Sequence, residues 1–287
     1  MLSAVVSSAR ERGEEAVVVT FWPHPRTVLQ QDAREFRILT SLEEKKALLL
    51  AAGIDRVEVI PFTREFAAMK ADEYLQLLAD KYGASLVVMG YDNRIGSDKL
   101  TAEEIGISQA VAPRPLPTSL RSVGPLPFTW PRAAMVSEDS NAPVISSTKI
   151  RKALQEGRVE EANAMLGYGY ELYGVVVAGN RVGRTMGFPT ANMQLYEPLK
   201  LVPANGVYAV EAEVLGTTYK GMCNIGMRPT VGGASRTIET HILDFDQDIY
   251  GLPLRIRFLR RIRDERKFPS LEALREQLTL DALNCKK

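Results

Sequence analysis

The hydrophobic pattern of the chain changes near residue 167, and this change constrains the fold more than any other feature. Before it, apolar runs at residues 16–21, 56–62 and 85–90 alternate with helical patterns at residues 2–12, 41–52 and 72–82. Strands that alternate with helices predict right-handed β-α-β units and a doubly wound parallel sheet. Such sheets bind ligands at the carboxyl ends of their strands. We therefore expect an α/β domain over residues 1–165.

After residue 167 the chain reads as consecutive short strands with glycine turns between them. The predicted strands cover residues 170–178, 207–215, 218–224, 237–244 and 254–259. Consecutive strands of this kind are typical of a closed antiparallel barrel. A helix follows, with Ser270 in position to cap its first turn. We therefore expect a β domain over residues 166–287.

Composition narrows the class of protein. A chain of 287 residues is long enough for two domains, and 45% hydrophobic with 25% charged residues is typical of a globular protein. The net charge of +1 provides no field that would recruit nucleic acid or a membrane surface. Cys223 and Cys285 have no metal-binding spacing and are interpreted as free thiols in a reducing compartment. We expect a cytoplasmic protein, and the sequence predicts no oligomeric state.

One stretch, GNRVGRTMGFPTAN at residues 179–192, carries the pattern of a phosphate site. Glycines let backbone N–H groups approach a phosphate, and arginines add charge-assisted hydrogen bonds. Thr190 and Asn192 point to the same side of an extended segment, and neutral oxygens suit Mg²⁺. The stretch is either a loop that holds Mg²⁺ and a nucleotide or an ordinary β-turn with a solvated basic face. Its candidate nucleotide-binding residues are Gly179, Gly183, Arg184, Gly187, Thr190 and Asn192.

The ordered run GRTMGFPTAN within this stretch resembles the riboflavin kinase signature G-R-x-x-G-[FIV]-P-T-A-N. Further motifs of that family follow in order: NIGMRPT from residue 224, IETHIL from 238, DIYG from 248 and FLRRIRDERKF from 258. The chain as a whole resembles the bifunctional bacterial riboflavin kinase and FMN adenylyltransferase family. This resemblance implies a six-stranded flavokinase barrel with a C-terminal helix, ATP and riboflavin as substrates, FMN as product, and Mg²⁺ with the nucleotide.

The resemblance also implies roles for single residues. Glu239 matches the general base that deprotonates the attacking hydroxyl, although the residues alone favour a solvent-facing strand carboxylate. Thr190 and Asn192 match the metal ligands, and His241 is expected to be a structural or orienting neighbour. Four positions match flavin contacts of the family: Tyr250, Arg263, Glu265 and Phe268.

Three motifs in the first half resemble the family's adenylyltransferase domain: FWPHP from residue 21, GYDNRIG from 90 and ISSTKIR from 145. The candidate residues in them are His24, Asp92, Ser147, Thr148 and Arg151. In the last motif either Ser147 or Thr148 is expected to cap a helix whose first turn includes Arg151, which suits a phosphate. A simple helix cap without a ligand is the alternative, and His24 by itself would be an ordinary loop histidine.

The first half also departs from the family pattern. The family uses an H-x-G-H motif, and this chain contains only His24 and His241. We expect the family's first strand and that motif to lie ahead of the helix at residues 2–12, and we expect little or no FAD synthesis from the chain as written. Residues 112–143 hold seven of the sixteen prolines and predict a long irregular connection. A non-catalytic flavin- or nucleotide-binding module is the alternative function, against which Thr190, Asn192 and Glu239 argue.

Overall fold

The computed structural model describes residues 2–29, 36–89, 93–101, 104–105, 145–179, 183, 186–230 and 233–286. Asp92, Arg184 and the proline-rich residues 112–143 therefore lie outside the described part. The chain divides into two compact units, of which the first comprises Met1–Phe36 and Leu42–Ala142. The second comprises Arg37–Ser41 and Pro143–Lys287.

The first unit follows the predicted alternation of helices and strands. Its elements are α1 (Leu2–Arg12), β1 (Val17–Trp22), α2 (Pro25–Leu29), α3 (Leu42–Ala51), β2 (Arg56–Pro61), α4 (Arg64–Ala67) and α5 (Ala71–Tyr82). β1 and β2 pair in parallel, with Val17 opposite Arg56 and Trp22 opposite Pro61. α5 ends at Gly83, whose φ of 66° is the left-handed conformation of a helix cap.

The prediction of a third strand is wrong for the part of it that the structure describes, because residues 85–89 form no strand. Their apolar sequence is typical of a strand, and Met89 is buried beside Ala71 and Ile105. A strand exists only where a neighbour completes its hydrogen-bond ladder, and within the described residues this segment has no such neighbour. Among the described residues, the packing of Met89 and the hydrogen bond from Ser85 to Glu14 hold it in place.

Two helices open the second unit, α6 (Ser147–Gln155) and α7 (Val159–Leu166). Both bury apolar side chains in the same core as the barrel, and Leu154 and Val159 are 0% exposed. By packing they belong to the second unit, although they precede the predicted boundary at residue 166.

Six strands of the second unit form a closed antiparallel barrel, as predicted. They are β3 (Glu171–Val177), β4 (Ala191–Leu195), β5 (Gly206–Val214), β6 (Thr217–Thr230), β7 (Gly233–Ile242) and β8 (Pro253–Arg263). Their order around the barrel is β3-β4-β7-β6-β5-β8, and β8 pairs back to β3. Leu172, Tyr208 and Phe258 are essentially fully buried inside it. The barrel is thus a packed core, and any site must lie on its outside or at its ends.

The C-terminal helix α8 (Leu271–Lys286) covers part of the outer surface of the barrel. The hydroxyl of Ser270 accepts the N–H of Ala273 at 3.2 Å, which confirms the predicted cap. Cys285 packs with Val207 and Met222 in a second, smaller core. In the part of the chain that the structure describes, no helix has both the length and the hydrophobicity to cross a membrane.

Candidate active site

A row of three polar side chains crosses adjacent strands of the barrel. Glu239 on β7 lies directly opposite Asn192 on β4 and directly opposite Asn224 on β6. Directly opposite residues in an antiparallel pair share a face, with Cβ atoms about 4.5–5.5 Å apart. The three are partly exposed, whereas their chain neighbours Ala191 and Cys223 are buried in the barrel core. The row Asn192–Glu239–Asn224, here called the polar row, therefore faces outward.

Burial beneath the polar row keeps the interior neutral. Cys223 is fully buried, and this burial raises the pKa of its thiol to about 12. The neighbouring Thr240 is also 0% exposed. The thiol therefore brings no negative charge beneath the row.

The glycine-rich stretch lies beside one end of this row. The N–H groups of Met186 and Phe188 donate to the carbonyl oxygen of Gly183, at 3.1 and 2.8 Å, and close a tight turn. Gly187 has a φ of 85° within it, a conformation that side chains rarely adopt. A Cβ atom on Gly183 would lie 3.6 Å from the methyl carbon of Thr190. The turn therefore sits against the first of the two predicted metal ligands.

The second predicted ligand is held by another glycine. A Cβ atom on Gly179 would overlap the side-chain amide of Asn192, so only glycine lets this amide pack against the backbone. Thr190 and Asn192 flank the buried Ala191, which places both side chains on the outward face. Of the six predicted nucleotide-binding residues, Arg184 lies outside the described part, and the other five lie in this stretch.

His241 fastens the same stretch to β7. Its Nδ1 lies 2.8 Å from the carbonyl oxygen of Pro189, and its ring meets Phe188 edge-on at 5.2 Å between centroids. A carbonyl oxygen only accepts hydrogen bonds, so Nδ1 carries the proton in this contact. His241 is on the outward face together with Glu239, two residues away. The geometry is that of an orienting residue.

Beyond Asn224, the polar row continues toward Glu265. A Cβ atom on Gly226 would collide with Oε1 of Glu265 and would lie 3.3 Å from Nδ2 of Asn224. Glycine at this position therefore lets the carboxylate of Glu265 lie over β6 beside Asn224. Asn205 also donates its amide N–H to Oε2 of Glu265, at 3.4 Å. Glu265 is thus brought to the end of the row opposite the glycine turn.

Arg263 and Phe268 form a second group near Glu265 in the chain. The guanidinium of Arg263 donates from Nε to Asp281 on α8 at 2.9 Å and makes a second contact to the same oxygen at 2.8 Å. The side chain of Asp281 is 0% exposed, whereas that of Arg263 is 18% exposed. The guanidinium groups of Arg263 and Arg266 both lie over the ring of Phe268, at 5.5 and 4.7 Å from its centroid.

Tyr250, the fourth predicted flavin contact, is 42% exposed on the loop before β8. Its backbone N–H donates to the carboxylate of Asp248 at 3.1 Å, which forms a local turn. Its flavin role stays a prediction.

The candidate adenylyltransferase residues lie in both units. His24 follows β1 in the first unit, where its Nδ1 accepts the N–H of Arg26 at 3.2 Å and its ring lies 4.7 Å from that of Phe36. Ser147, Thr148 and Arg151 lie on α6 in the second unit. Asp92 lies outside the described residues.

The predicted cap of α6 is wrong by one residue. Ser146 has extended backbone angles, φ −146° and ψ 152°, and its hydroxyl accepts the N–H of Lys149 at 3.3 Å. Ser147 and Thr148 are already helical and exposed. Neither can be the cap, because a cap precedes the first helical residue. Arg151 consequently lies beyond the first turn, where its Nε donates to the carbonyl oxygen of Arg37 at 2.9 Å.

Two residues of the site were not singled out from the sequence. Asn224 was seen only as part of a motif, and its place beside Glu239 depends on the register of β6 with β7. A signal was present, since Asn224 is polar between the apolar Cys223 and Ile225 on a strand. Asp281, which holds Arg263, carries no such signal because acidic residues are common on helices.

Comparisons with known proteins agree with this geometry. A family model for riboflavin kinase matches residues 166–287, and one for FAD synthetase matches residues 1–110. The bifunctional riboflavin kinase/FMN adenylyltransferase of Bacillus subtilis (strain 168) is 35% identical over 277 residues, which cover 95% of this chain and 82% of that protein. The protein of the same description from Escherichia coli (strain K12) is 32% identical over 292 residues, covering 100% and 86%.

A solved structure is similar along the whole chain. The crystal structure described as a macrolide-efflux protein from Streptococcus pneumoniae has a TM-score of 0.82 and 31% identity, and the match covers 100% of this chain and 88% of that one. Sequence identity to the curated relatives extends over both the α/β unit and the barrel. The chain belongs to the family of bifunctional riboflavin kinases/FMN adenylyltransferases.

Proposed function

We propose that this chain phosphorylates riboflavin with ATP to give FMN, and that the barrel unit carries the reaction. The observation that supports this most strongly is the polar row. It sets a carboxylate between two amides, and a glycine turn lies at one end of the row. Phosphoryl transfer requires phosphates held in place, their charge neutralised and the attacking hydroxyl oriented. The curated relatives carry the name of this reaction.

Glu239 is the proposed general base. It accepts the proton of the riboflavin 5′-hydroxyl as that oxygen attacks the γ-phosphorus of ATP. The amides of Asn192 and Asn224 are neutral, so neither competes for this proton, and both can donate N–H groups to fix the carboxylate. His241 supports the arrangement by fastening the glycine turn to the strand that carries the base.

Thr190 and Asn192 are the proposed Mg²⁺ ligands. Their hydroxyl and amide oxygens are hard, neutral donors on one outward face, which fits an ion that also takes phosphate oxygens. When bound, Mg²⁺ neutralises charge on the transferred phosphoryl group. Gly179 and Gly183 contribute by letting the backbone pack against these two side chains. Gly187 and Arg184 complete the proposed nucleotide site.

The flavin is proposed to lie toward the Glu265 end of the polar row. Arg263 is held by the buried Asp281, and both Arg263 and Arg266 contact the aromatic ring of Phe268. A planar ring system can stack on such a face. Tyr250 is the fourth proposed contact.

FMN adenylylation to FAD is the second proposed activity, supported by the FAD synthetase match over residues 1–110. In the first unit, His24 and Asp92 are proposed to contact its nucleotide, and the roles of Ser147, Thr148 and Arg151 stay predictions from the family resemblance. Because the substrates of both reactions are small and polar, the proposed setting is the cytoplasm. Nucleic acid and membrane are not proposed as partners.

The test is a single incubation of the chain with riboflavin, ATP and Mg²⁺, followed by chromatographic separation of riboflavin, FMN and FAD. We expect ADP to accumulate in an amount equal to FMN and FAD together, and a chelator of Mg²⁺ to stop its formation. Riboflavin binding without FMN or ADP would contradict the proposal and support the non-catalytic flavin-binding module instead.

A further inference from the structure

The loop that joins β4 to β5, residues 196–205, is hydrogen-bonded to other elements of the barrel unit. The N–H of Ala204 donates to the carbonyl oxygen of Leu154 on α6 at 2.9 Å. The hydroxyl of Tyr170, which is buried, donates to the carbonyl oxygen of Leu201 at 2.7 Å. Loops between strands are usually the more mobile parts of a fold. This loop is instead fixed by contacts with a helix and with the core.

A segment from earlier in the chain holds the middle of the same loop. Residues 37–41 belong to the second unit, and Ile38 forms a parallel bridge with Lys200. The ammonium group of Lys200 donates to the carbonyl oxygen of Leu39 at 2.7 Å and lies 4.6 Å from the ring centroid of Tyr170. Only 5% of Lys200 is exposed. A buried ammonium group is costly without such contacts, so they define the position of the loop closely.

Arg236 on β7 holds the end of the loop. Its Nε donates to Oδ1 of Asn205 at 3.0 Å, and its Nη1 donates to the carbonyl oxygen of Val202 at 3.1 Å. Its Nη2 donates to the carbonyl oxygen of Pro203. A second guanidinium group, that of Arg261, donates to the carbonyl oxygen of Asn205 at 2.7 Å. Both the backbone and the side chain of Asn205 are therefore held by the barrel.

The other half of the Asn205 amide contacts Glu265. Its Nδ2 donates to Oε2 of that carboxylate at 3.4 Å, while its Oδ1 accepts from Arg236. A guanidinium group only donates and a carboxylate only accepts, so these two partners fix which way round the amide lies. An aspartate could serve Arg236 but would repel Glu265. An asparagine is thus suited to joining the two.

Glu265 needs such a contact because it lies outside the strands. It follows the end of β8, in residues 264–268, which belong to no helix or strand. Its described contacts are with Asn205 and with the space left by Gly226 on β6. The fixed loop therefore reaches the Glu265 end of the polar row through one side chain, that of Asn205.

We propose that Asn205 is a positioning residue for the flavin, which holds the carboxylate of Glu265 ready to receive riboflavin. This inference rests on the proposed function, in which Glu265 contacts the flavin. A group that is already fixed before its ligand arrives loses less conformational freedom on binding. Glu239 lies on the other side of Asn224 from Glu265. Loss of the contact should therefore weaken riboflavin binding and leave phosphoryl transfer largely unchanged.

The experiment replaces the amide by a carboxylate of the same shape. Asn205→Asp keeps an acceptor for Arg236, so the loop stays anchored, but it places a negative charge against Glu265. We expect the Kd of riboflavin, measured by flavin fluorescence, and its KM to rise about tenfold or more. The kcat and the KM for ATP should stay near the parent values. Gln155→Glu makes the same chemical change on the exposed end of α6 and is the matched control.

A second background separates positioning from a general effect on the loop. In a Glu265→Gln protein, residue 265 has an amide that can donate to the carboxylate introduced by Asn205→Asp. The donor and the acceptor are then exchanged, and a hydrogen bond between the two positions is restored. We expect Asn205→Asp to raise the Kd of riboflavin much less in this background than in the parent.

Three outcomes would overturn the proposal. They are an equal rise in Kd in both backgrounds, a riboflavin Kd no different from that of Gln155→Glu, and a fall in kcat with an unchanged riboflavin Kd. The Kd measurement requires no turnover. A parent protein that binds riboflavin without forming FMN would therefore contradict the proposed function, while the comparison of Kd values would still test the role of Asn205.

Discussion

Among single residues, Glu239 is expected to affect the proposed activity most. The strand register places it between the amides of Asn192 and Asn224. A strand carboxylate that faces solvent is usually dispensable, whereas one aligned with Asn192 and Asn224 has neighbours that can fix its orientation. In Glu239→Gln the shape is kept and the base is lost. We expect FMN formation to fall by roughly 10²–10⁴-fold while riboflavin binding persists. The measurement is FMN formation together with riboflavin titration.

A matched control for this variant is Glu213→Gln, which changes another exposed strand glutamate of the same barrel. Its only described ion pair is a long one, 3.9 Å to Arg255. FMN formation by this control should stay near the parent rate. If Glu239→Gln forms FMN at the parent rate, another group must accept the proton of the riboflavin 5′-hydroxyl.

Thr190 and Asn192 are expected to act on the metal and not on the flavin. Thr190→Ala and Asn192→Ala each remove one oxygen ligand, so each should raise the Mg²⁺ and ATP concentrations needed for half-maximal rate. The KM for riboflavin should change much less. Thr218→Ala, on the exposed β5–β6 hairpin, is the control. If the Mg²⁺ titration curves of both variants coincide with that of the control, the proposed ligands are wrong.

Among the elements, β8 and α8 are joined by the pair between Arg263 and Asp281. Asp281 is fully buried and also accepts a hydrogen bond from Gln277 at 2.7 Å. Removing it leaves a guanidinium with little access to water. We expect Asp281→Ala to lower the free energy of unfolding of the barrel unit by about 3 kcal/mol, the lower end for a buried pair because Arg263 keeps some exposure.

Denaturant unfolding of the barrel unit measures this loss. Glu276→Ala, on the exposed side of the same helix, is the matched control and should change stability very little. The KM for riboflavin should also rise in Asp281→Ala, because Arg263 and Phe268 lose a fixed position. If Asp281→Ala is as stable as Glu276→Ala, the ion pair between Arg263 and Asp281 adds no stability beyond the hydration of the separate charges.

Elements with strong periodicity could be predicted from the sequence. The helices at residues 2–12 and 72–82, the strands around residues 207–215 and 254–259, and the cap at Ser270 follow local pattern and turn chemistry. β4 was missed as a strand although its five residues, ANMQL, alternate between apolar and polar, because this alternation is short and directly follows a glycine-rich loop. At residues 85–90 the local pattern is that of a strand, but the part of the chain that the structure describes provides no pairing partner for it.

The candidate site also divides into features that local sequence predicts and features that depend on strand pairing. The glycines and Thr190 with Asn192 are close in sequence, so their proximity could be anticipated. Asn224 and Glu239 meet only through the pairing of β6 with β7, which local pattern does not encode. The cap of α6 was misplaced by one residue because three hydroxyl residues, Ser146 to Thr148, stand in line and only backbone geometry selects the first.

At the scale of the whole molecule, we expect the two units to contribute unequally to the two proposed activities. The barrel unit contains the proposed base, metal ligands and flavin contacts, whereas the H-x-G-H motif of the family has no counterpart among the two histidines of this chain. His241 is engaged with Pro189 in the barrel, and His24 stands between two prolines. Losing one preorganised stabiliser of charge typically costs about 10²–10³-fold in rate.

We therefore expect the purified chain of residues 1–287, supplied with FMN and ATP, to form FAD at least about 10²-fold more slowly than the bifunctional enzyme of Bacillus subtilis assayed side by side. FAD formation by this chain at a rate comparable to that reference would contradict the expectation and would require another group to stabilise the departing pyrophosphate.

The strand register of the barrel also predicts the order in which the residues of the site come together during folding. β6 and β7 are consecutive strands, so Asn224 and Glu239 meet as soon as that hairpin forms. Asn192 joins them only when β4 pairs with β7 across a much longer stretch of chain, and long-range pairings form late. In refolding from denaturant, FMN formation should thus return after the bulk of the β-sheet circular dichroism signal. The proposed base and metal ligand then become neighbours in the same step that completes the β4–β7 ladder.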